Sequence, residues 1–98
     1  MRKYRIAAVS LLLTLLAGCA TAPVQEMSDA RQALQAAQQA GAQQDAPQEF
    51  ARAKALMQSA EDQLGVGGYQ SARKLAEQAK SAAQQARDWA LKKENKTP

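Results

Sequence analysis

Cys19 is the only cysteine in a chain of 98 residues that contains no histidine. A thiol can act as a nucleophile or bind a metal. A structural zinc site, a Cys-His pair and a Ser-His-Asp triad, however, all require side chains that this chain lacks. Cys19 also has no second cysteine with which to form an internal disulfide. Its chemistry is therefore that of a single thiol.

The other chemically capable side chains are carboxylates and serine hydroxyls on predicted helices. The carboxylates that could form acid pairs are Glu61, Asp62, Glu77 and Asp88. They lie off the apolar stripes, and Arg73 stands four residues before Glu77, which is typical of a solvated charged face. The serines, none of which has an evident activating base, are Ser59, Ser71 and Ser81. The sequence predicts no enzyme, no metal site and no cofactor.

The N-terminal segment has the pattern of a secretory signal. MRKYR carries three positive charges and is followed by the apolar stretch IAAVSLLLTLLA. A helix needs about 20 apolar residues to cross about 30 Å of hydrocarbon, so this stretch is too short to span a bilayer. Its length is that of the apolar region of a signal peptide. We predict that residues 1–18 are a signal peptide.

The residues that end this segment are Leu16, Ala17, Gly18 and Cys19, and together they resemble a bacterial lipobox. In that family of signals the cysteine sulfur receives a diacylglyceryl group. The chain is then cleaved before the cysteine, and the new amino group is acylated with a fatty acid such as palmitate. The resemblance implies a stable lipid anchor on Cys19. Ala20 is not aspartate, which by resemblance to enteric bacteria favours the periplasmic face of the outer membrane over retention in the inner membrane.

The net charge of +4 comes mostly from the predicted signal peptide. Arg2, Lys3 and Arg5 contribute three of the 13 basic residues, and the remaining ten basic residues are interspersed with nine acidic ones. A nucleic-acid-binding domain usually shows a basic patch or stripe, which is absent here. The sequence therefore argues against nucleic acid as a partner.

The rest of the chain is predicted to be all-α, since no segment alternates with a period of two. The predicted segments are a lipidated cysteine and tether at 19–27, helices at about 28–40, 47–64 and 69–93, and a frayed tail at 94–98. The helices at 47–64 and 69–93 are expected to form an antiparallel hairpin, preceded by the shorter helix.

Capping residues support these boundaries. Ser28, followed by Asp29, suits the start of the first helix, and Asp45 suits the start of the second. Gly41 and Gly65 are suitable residues just beyond helix ends.

Each predicted helix carries a stripe whose spacing alternates between three and four residues, as in an amphipathic helix. The first stripe is Met27, Ala30, Leu34, Ala37 and Gly41. The second is Ala46, Phe50, Ala53, Met57, Ala60 and Leu64. The third is Tyr69, Ala72, Ala76, Ala79, Ala83, Ala86 and Ala90. Alanine allows two helix axes to approach closely, so we expect a narrow seam rather than a deep core.

The segment Gly65, Val66, Gly67 and Gly68 predicts a tight turn between the last two helices. The expected neighbours across it are Leu64 and Tyr69, Ala60 and Ala72, Met57 and Ala76, and Phe50 with Ala83 and Ala86. Tyr69 is expected to close the hairpin. Trp89 is expected to pack at the open end, beyond Phe50. Both aromatic residues are also candidates for contact with a partner, and Trp89, with Lys92 and Lys93 beside it, is a candidate for contact with lipid headgroups as well.

Several short motifs follow one another in a fixed order along the chain. They are the lipobox with Ala22-Pro23, the run Ser28-Asp29-Ala30-Arg31-Gln32-Ala33, Ala40-Gly41-Ala42, Ala46-Pro47, Leu64, Gly67-Gly68-Tyr69 and Ala72-Arg73. In these residues the chain resembles the domain-of-unknown-function family 4398. The resemblance implies a small Gram-negative envelope lipoprotein and supplies no catalytic residues. Some related chains carry a peptidoglycan-binding domain of the OmpA type, so a peptidoglycan-associated partner is one expectation.

Three functions are open at this point. The first is a structural or protein-interaction lipoprotein whose helices dock on an envelope partner. The second is a self-assembling spacer between outer membrane and cell wall, because the third stripe is similar to that of the trimeric alanine-zipper lipoproteins. The third is a peptide-binding module, because Gly67, Tyr69, Ala72 and Ala79 resemble positions of one tetratricopeptide hairpin.

Overall fold

The computed structural model describes the backbone of residues 22–96 and the side chains of residues 22–93. It contains four helices within this range: α1 (Val24–Gln39), α2 (Ala42–Asp45), α3 (Pro47–Gly65) and α4 (Tyr69–Lys96). No strand occurs among these residues, and α3 and α4 pack as a hairpin, which confirms the predicted all-α fold. α4 extends to Lys96, three residues beyond the predicted end of the last helix.

The first helix begins at Val24 rather than at Ser28, so residues 24–27 of the predicted tether are helical. Pro23 occupies the N-cap position with φ −77°, close to the value that its ring imposes, and its carbonyl accepts a hydrogen bond from Met27 N–H at 3.0 Å. Met27 is almost fully buried. Burial of this side chain stabilises the additional helical turn. Ser28 therefore lies inside the helix and is not its N-cap.

The second predicted cap is also wrong. Asp45 belongs to the four-residue helix α2, and Ala46 occupies the N-cap position of α3 without a side-chain hydrogen bond. Gly41, in contrast, has φ 81°, in the left-handed region where glycine is favoured. It ends α1 as predicted, with its N–H donating to the carbonyl of Gln38 at 3.0 Å.

Most residues of the three predicted stripes form the core, joined by Ala42 and Ala82 from outside the stripes, whereas Tyr69 is exposed. The core residues fall into two clusters, one nearer each end of the helices. One cluster contains Met27, Ala30, Met57, Ala60, Ala76 and Ala79. The other contains Ala37, Ala42, Ala46, Phe50, Ala53, Ala82, Ala83, Ala86 and Ala90. The expected neighbours Met57 and Ala76 share the first cluster, and Phe50 shares the second with Ala83 and Ala86. The narrow alanine seam is confirmed.

The same clusters give the directions of the helices. Met27, near the start of α1, packs with Ala76 in the first half of α4, and Ala37, near the end of α1, packs with Ala86 in the second half. α1 therefore runs parallel to α4 and antiparallel to α3. α4 makes extensive contacts with both α3 and α1, whereas α1 and α3 touch each other much less. α4 is the shared packing partner of the bundle.

The turn between α3 and α4 requires glycine at one position. Gly67 has φ 79°, which side chains disfavour. A Cβ on Gly68 would lie 2.6 Å from Gln63 Oε1, but this atom is the end of a flexible side chain that can move aside. Gly68 N–H donates to the Gln63 carbonyl oxygen at 2.8 Å and closes the turn.

Candidate functional site

Cys19 and the lipobox residues Leu16, Ala17 and Gly18 lie outside the described residues, as do Ala20 and Thr21 of the predicted tether. The structure does show where the chain leading from Cys19 joins the bundle. It reaches α1 at Val24, and α1 starts at the same end of the bundle at which α3 passes into α4. We call this end, formed by Pro23, Val24, the 65–68 turn and Tyr69, the turn end.

Three large apolar side chains from separate segments are exposed at the turn end. Val24 is 72% exposed, Val66 79% and Tyr69 42%. Leu64 behind them is half-buried against the core. The expectation that Tyr69 closes the hairpin is met only in part, since nearly half of this side chain remains accessible. The turn end therefore presents an apolar, partly aromatic surface.

Two ion pairs hold α1 in register with the other helices near this end. Arg73 Nε of α4 lies 3.4 Å from Glu26 Oε1 of α1, and Arg31 Nη2 of α1 lies 4.0 Å from Glu61 Oε1 of α3. Sequence spacing had suggested Glu77 as the neighbour of Arg73, but the structure pairs Arg73 across the helix interface. All four side chains are partly exposed, so these pairs contribute modestly to stability. The pair of Glu26 and Arg73 shows that α1 starts beside the first turns of α4.

Trp89 lies at the opposite end, which we call the far end: α2, the start of α3 and α4 from Trp89 onward. Its neighbour Ala90 packs with Ala42 and Ala46, so the predicted position near the start of the first hairpin helix, α3, is correct. The predicted packing of the side chain is wrong, because Trp89 is 58% exposed. At this level of α4 the residues that face the seam are Ala86 and Ala90, and the indole of Trp89 lies outside it. Leu91 is also exposed.

The carboxylates considered as acid pairs are solvent-exposed: Glu61, Asp62, Glu77 and Asp88. Ser59, Ser71 and Ser81 are exposed as well. A groove between α3 and α4 is lined by Gln63, Ser71, Lys74, Leu75 and Gln78, none of which is a carboxylate. Among the described residues, no three acidic, cysteine or histidine side chains converge in a way that could hold a metal ion. No helix in this part of the chain is both long and apolar enough to cross a membrane.

A model of the family DUF4398, a domain of unknown function, matches residues 25–97. The chain belongs to the DUF4398 family. The match covers all but the first residue of α1 and the whole of α2, α3 and α4, and it starts six residues after Cys19. No curated protein matches the chain significantly, and no solved structure does so either.

The surface of this DUF4398 bundle also contains amide-lined grooves. One, between α1 and α3, is lined by Leu34, Gln35, Gln38, Gln43, Phe50 and Lys54. Lys54 Nζ lies 5.6 Å from the centroid of the Phe50 ring, within the range of a cation–π contact. A second groove, between α1 and α4, is lined by Asp29, Gln32, Ala33, Lys80 and Gln84. Glutamines that the sequence places on helix faces thus flank the seams of the DUF4398 fold.

Sequence reasoning did not find the turn end as a surface. Val24 falls in the predicted tether and Val66 in the predicted turn, and neither is among the predicted site residues. The signal was present in outline, because residues 63–72 and residues 19–25 contain no charged side chain. The missing information was that α1 runs parallel to α4, which puts Pro23 and Val24 at the same end of the bundle as the 65–68 turn.

Proposed function

We propose that the protein is a lipoprotein, anchored through lipid on Cys19 to the periplasmic face of the outer membrane, with a structural or protein-interaction role. The observation that carries this proposal is the order Leu16, Ala17, Gly18 and Cys19 at the end of a basic and then apolar N-terminal segment. A thiol nucleophile preceded by two small residues is the arrangement that lipid transfer and cleavage require. Attachment of two or more acyl chains makes membrane binding stable.

The arrangement of the bundle supports this anchoring. Val24, the first helical residue, follows Cys19 by five residues. Five extended residues span at most about 17 Å, so an anchor on Cys19 keeps the turn end close to the membrane. Ala20 supports the outer membrane as the destination.

An interaction role is supported by the kind of surface that the bundle presents. The exposed side chains of the described region are mainly glutamine and charged residues, with apolar side chains at both ends. Trp89 and Leu91 at the far end are the proposed contacts for a second envelope component, either a protein or a peptidoglycan-associated partner. Tryptophan is enriched at binding hot spots because it buries a large area with few rotatable bonds.

The alternative of an alanine-zipper spacer is less well supported. A zipper requires the alanine stripe of α4 to face other copies of the chain. In the bundle the stripe residues Ala72, Ala76, Ala79, Ala83, Ala86 and Ala90 are all fully buried. α1 and α3 of the same chain cover them. Sedimentation of a chain beginning at Ala20 should therefore show a monomer, and a stable trimer would favour the zipper.

The proposed anchor is tested by metabolic labelling. Cells that express the full chain are fed a radioactive fatty acid, and Cys19→Ser should abolish labelling and block maturation. Ala20→Asp is the matched control, since it keeps the thiol and should retain the label while moving the protein to the inner membrane fraction. Persistent labelling of the Cys19→Ser protein would refute the proposal. In vivo crosslinking of the mature protein, followed by mass spectrometry, then identifies the partner.

A further inference from the structure

The turn end and the far end differ in their relation to the membrane anchor. Val24 and the turn lie at the point where the chain from Cys19 joins the bundle, and Trp89 lies 20 residues along α4 from Tyr69. At 1.5 Å per residue, this part of α4 is about 30 Å long. The reach of the tether, about 17 Å, is shorter than this distance. The tether therefore excludes a bundle whose far end lies on the membrane, because Val24 would then be about 30 Å away from it. A bundle that stands on its turn end and a bundle that lies on its side are both within reach of the tether.

The distribution of exposed apolar side chains selects among these arrangements. In the described part of the chain, the large apolar side chains that are strongly exposed are confined to the two ends: Val24, Val66 and Tyr69 at one, Trp89 and Leu91 at the other. The sides of the bundle present glutamine, alanine and charged residues. A bundle lying on its side would place these polar groups against the lipid and would leave the turn end in water.

The chemistry of the turn end fits a lipid interface. It has two aliphatic side chains and a tyrosine, whose ring is apolar and whose hydroxyl remains able to meet water. Aromatic side chains of this kind are enriched at the level of the lipid headgroups. The residues that form this end, Pro23, Val24, the 65–68 turn and Tyr69, carry no charge. The nearest charged side chains along the chain, those of Glu26, Asp62 and Arg73, lie within about one helical turn of it. Contact of the turn end itself with the acyl chains therefore desolvates no charge when these groups stay at the level of the headgroups.

We propose that Val24, Val66 and Tyr69 form a membrane-contact surface that lies in the lipid interface beside the anchored Cys19. The proposal rests on the lipid anchor put forward above. α4 then rises from the membrane, and Trp89 is held about 30 Å further out, where it faces the periplasm rather than the headgroups. Attachment through lipid and contact through the turn end together fix the orientation of the bundle, and they present the far end to a partner.

The single tryptophan makes this orientation measurable. The acylated full chain is purified from a Gram-negative host and reconstituted into phosphatidylcholine vesicles in which the acyl chains are brominated, because bromine quenches tryptophan at contact range. Native Trp89 should keep its fluorescence. The double variant Val66→Trp/Trp89→Phe should lose most of its fluorescence and emit at shorter wavelength in unbrominated vesicles. Tyr69→Trp/Trp89→Phe provides a second reporter at the turn end, and circular dichroism verifies the helical content of each variant.

The outcomes separate the two proposals. Protein that does not float with the vesicles carries no effective anchor, which refutes the proposed function and the orientation with it. Protein that floats but shows bromine quenching of native Trp89 refutes the orientation alone. Floating protein in which neither turn-end reporter is quenched also refutes it, because the turn end is then in water. Quenching at both turn-end positions and none at Trp89 supports the upright orientation.

Discussion

Phe50 provides the most direct test of the packing. Its ring is 6% exposed and lies among alanines of α1, α2, α3 and α4. An aromatic side chain buries on the order of 150–250 Å². At about 25 cal/mol per Å², a ring at the lower end of this range contributes about 3.5 kcal/mol. Phe50→Ala also leaves a cavity, because surrounding alanines cannot fill it, so we expect a loss of about 3–5 kcal/mol.

A loss of about 3–5 kcal/mol is large relative to the total stability of the domain. A domain of this size has a free energy of unfolding of roughly 4–11 kcal/mol. In urea, with a slope of about 1–2 kcal/mol per M, the midpoint of the helical circular dichroism signal should fall by about 1.5–5 M. A chain beginning at Ala20 avoids the membrane anchor in this assay. If the stability lies at the low end, the variant will already be partly unfolded in water.

Trp89→Ala is the control, since it removes a larger aromatic side chain from a position that is 58% exposed. The buried part of this side chain contributes no more than about 2.5 kcal/mol by area, and alanine returns about 0.5 kcal/mol through its higher helix propensity. The removed indole leaves no closed cavity. We expect a net loss of at most about 2 kcal/mol. Equal losses for Trp89→Ala and Phe50→Ala would refute the placement of Phe50 in the core and of Trp89 outside it.

Three further variants test the seam, the turn and the position of α1 by the same urea unfolding measurement. Ala79→Leu overpacks a fully buried position and should cost about 1–3 kcal/mol, while Ala55→Leu on the exposed face should be nearly neutral; equal effects would contradict the seam. Gly67→Ala forces a side chain into φ 79° and should cost about 1 kcal/mol or more, whereas Gly65→Ala, with open space around its Cβ, should be neutral or stabilising. Glu26→Gln should cost at most about 1 kcal/mol, and this loss should shrink at high salt; a loss independent of salt would argue against the ion pair.

Much of the fold could be predicted because the information is local. The spacing of Ala72, Ala76, Ala79 and Ala83 describes a helix face regardless of what covers it, and each of these residues is buried. The 65–68 turn follows from its three glycines in the same way. Helix ends were less predictable, because tertiary burial competes with capping. Ser28 is a favourable N-cap, but burial of Met27 extends α1 past it.

The surfaces were harder to predict than the elements. Tyr69 and Trp89 are both candidates for partner contact, and their local sequence predicts their positions, Tyr69 after the glycine turn and Trp89 at the open end of the hairpin, but not how far each side chain is exposed. The structure leaves both exposed but at opposite ends of α4. Val24 and Val66 could not be placed at the same end of the bundle from the sequence, because more than 40 residues separate them in the chain and the direction of α1 depends on where it packs.

The sequence by itself determined the signal-like N-terminus, the lone thiol at Cys19, the helical stripes and the glycine turn, because each is encoded by the identity and spacing of neighbouring residues. Only the tertiary structure decided that α1 runs parallel to α4 and covers the alanine stripe together with α3. The stripes are nearly alike in spacing and in their small side chains, so helical period alone does not choose their partners or directions. In the observed packing, bulky side chains lie between the helices, namely Met27, Phe50 and Met57, and Glu26 and Arg31 form ion pairs across the helix interfaces. This packing places the start of α1, which the chain from Cys19 leads into, at the turn end.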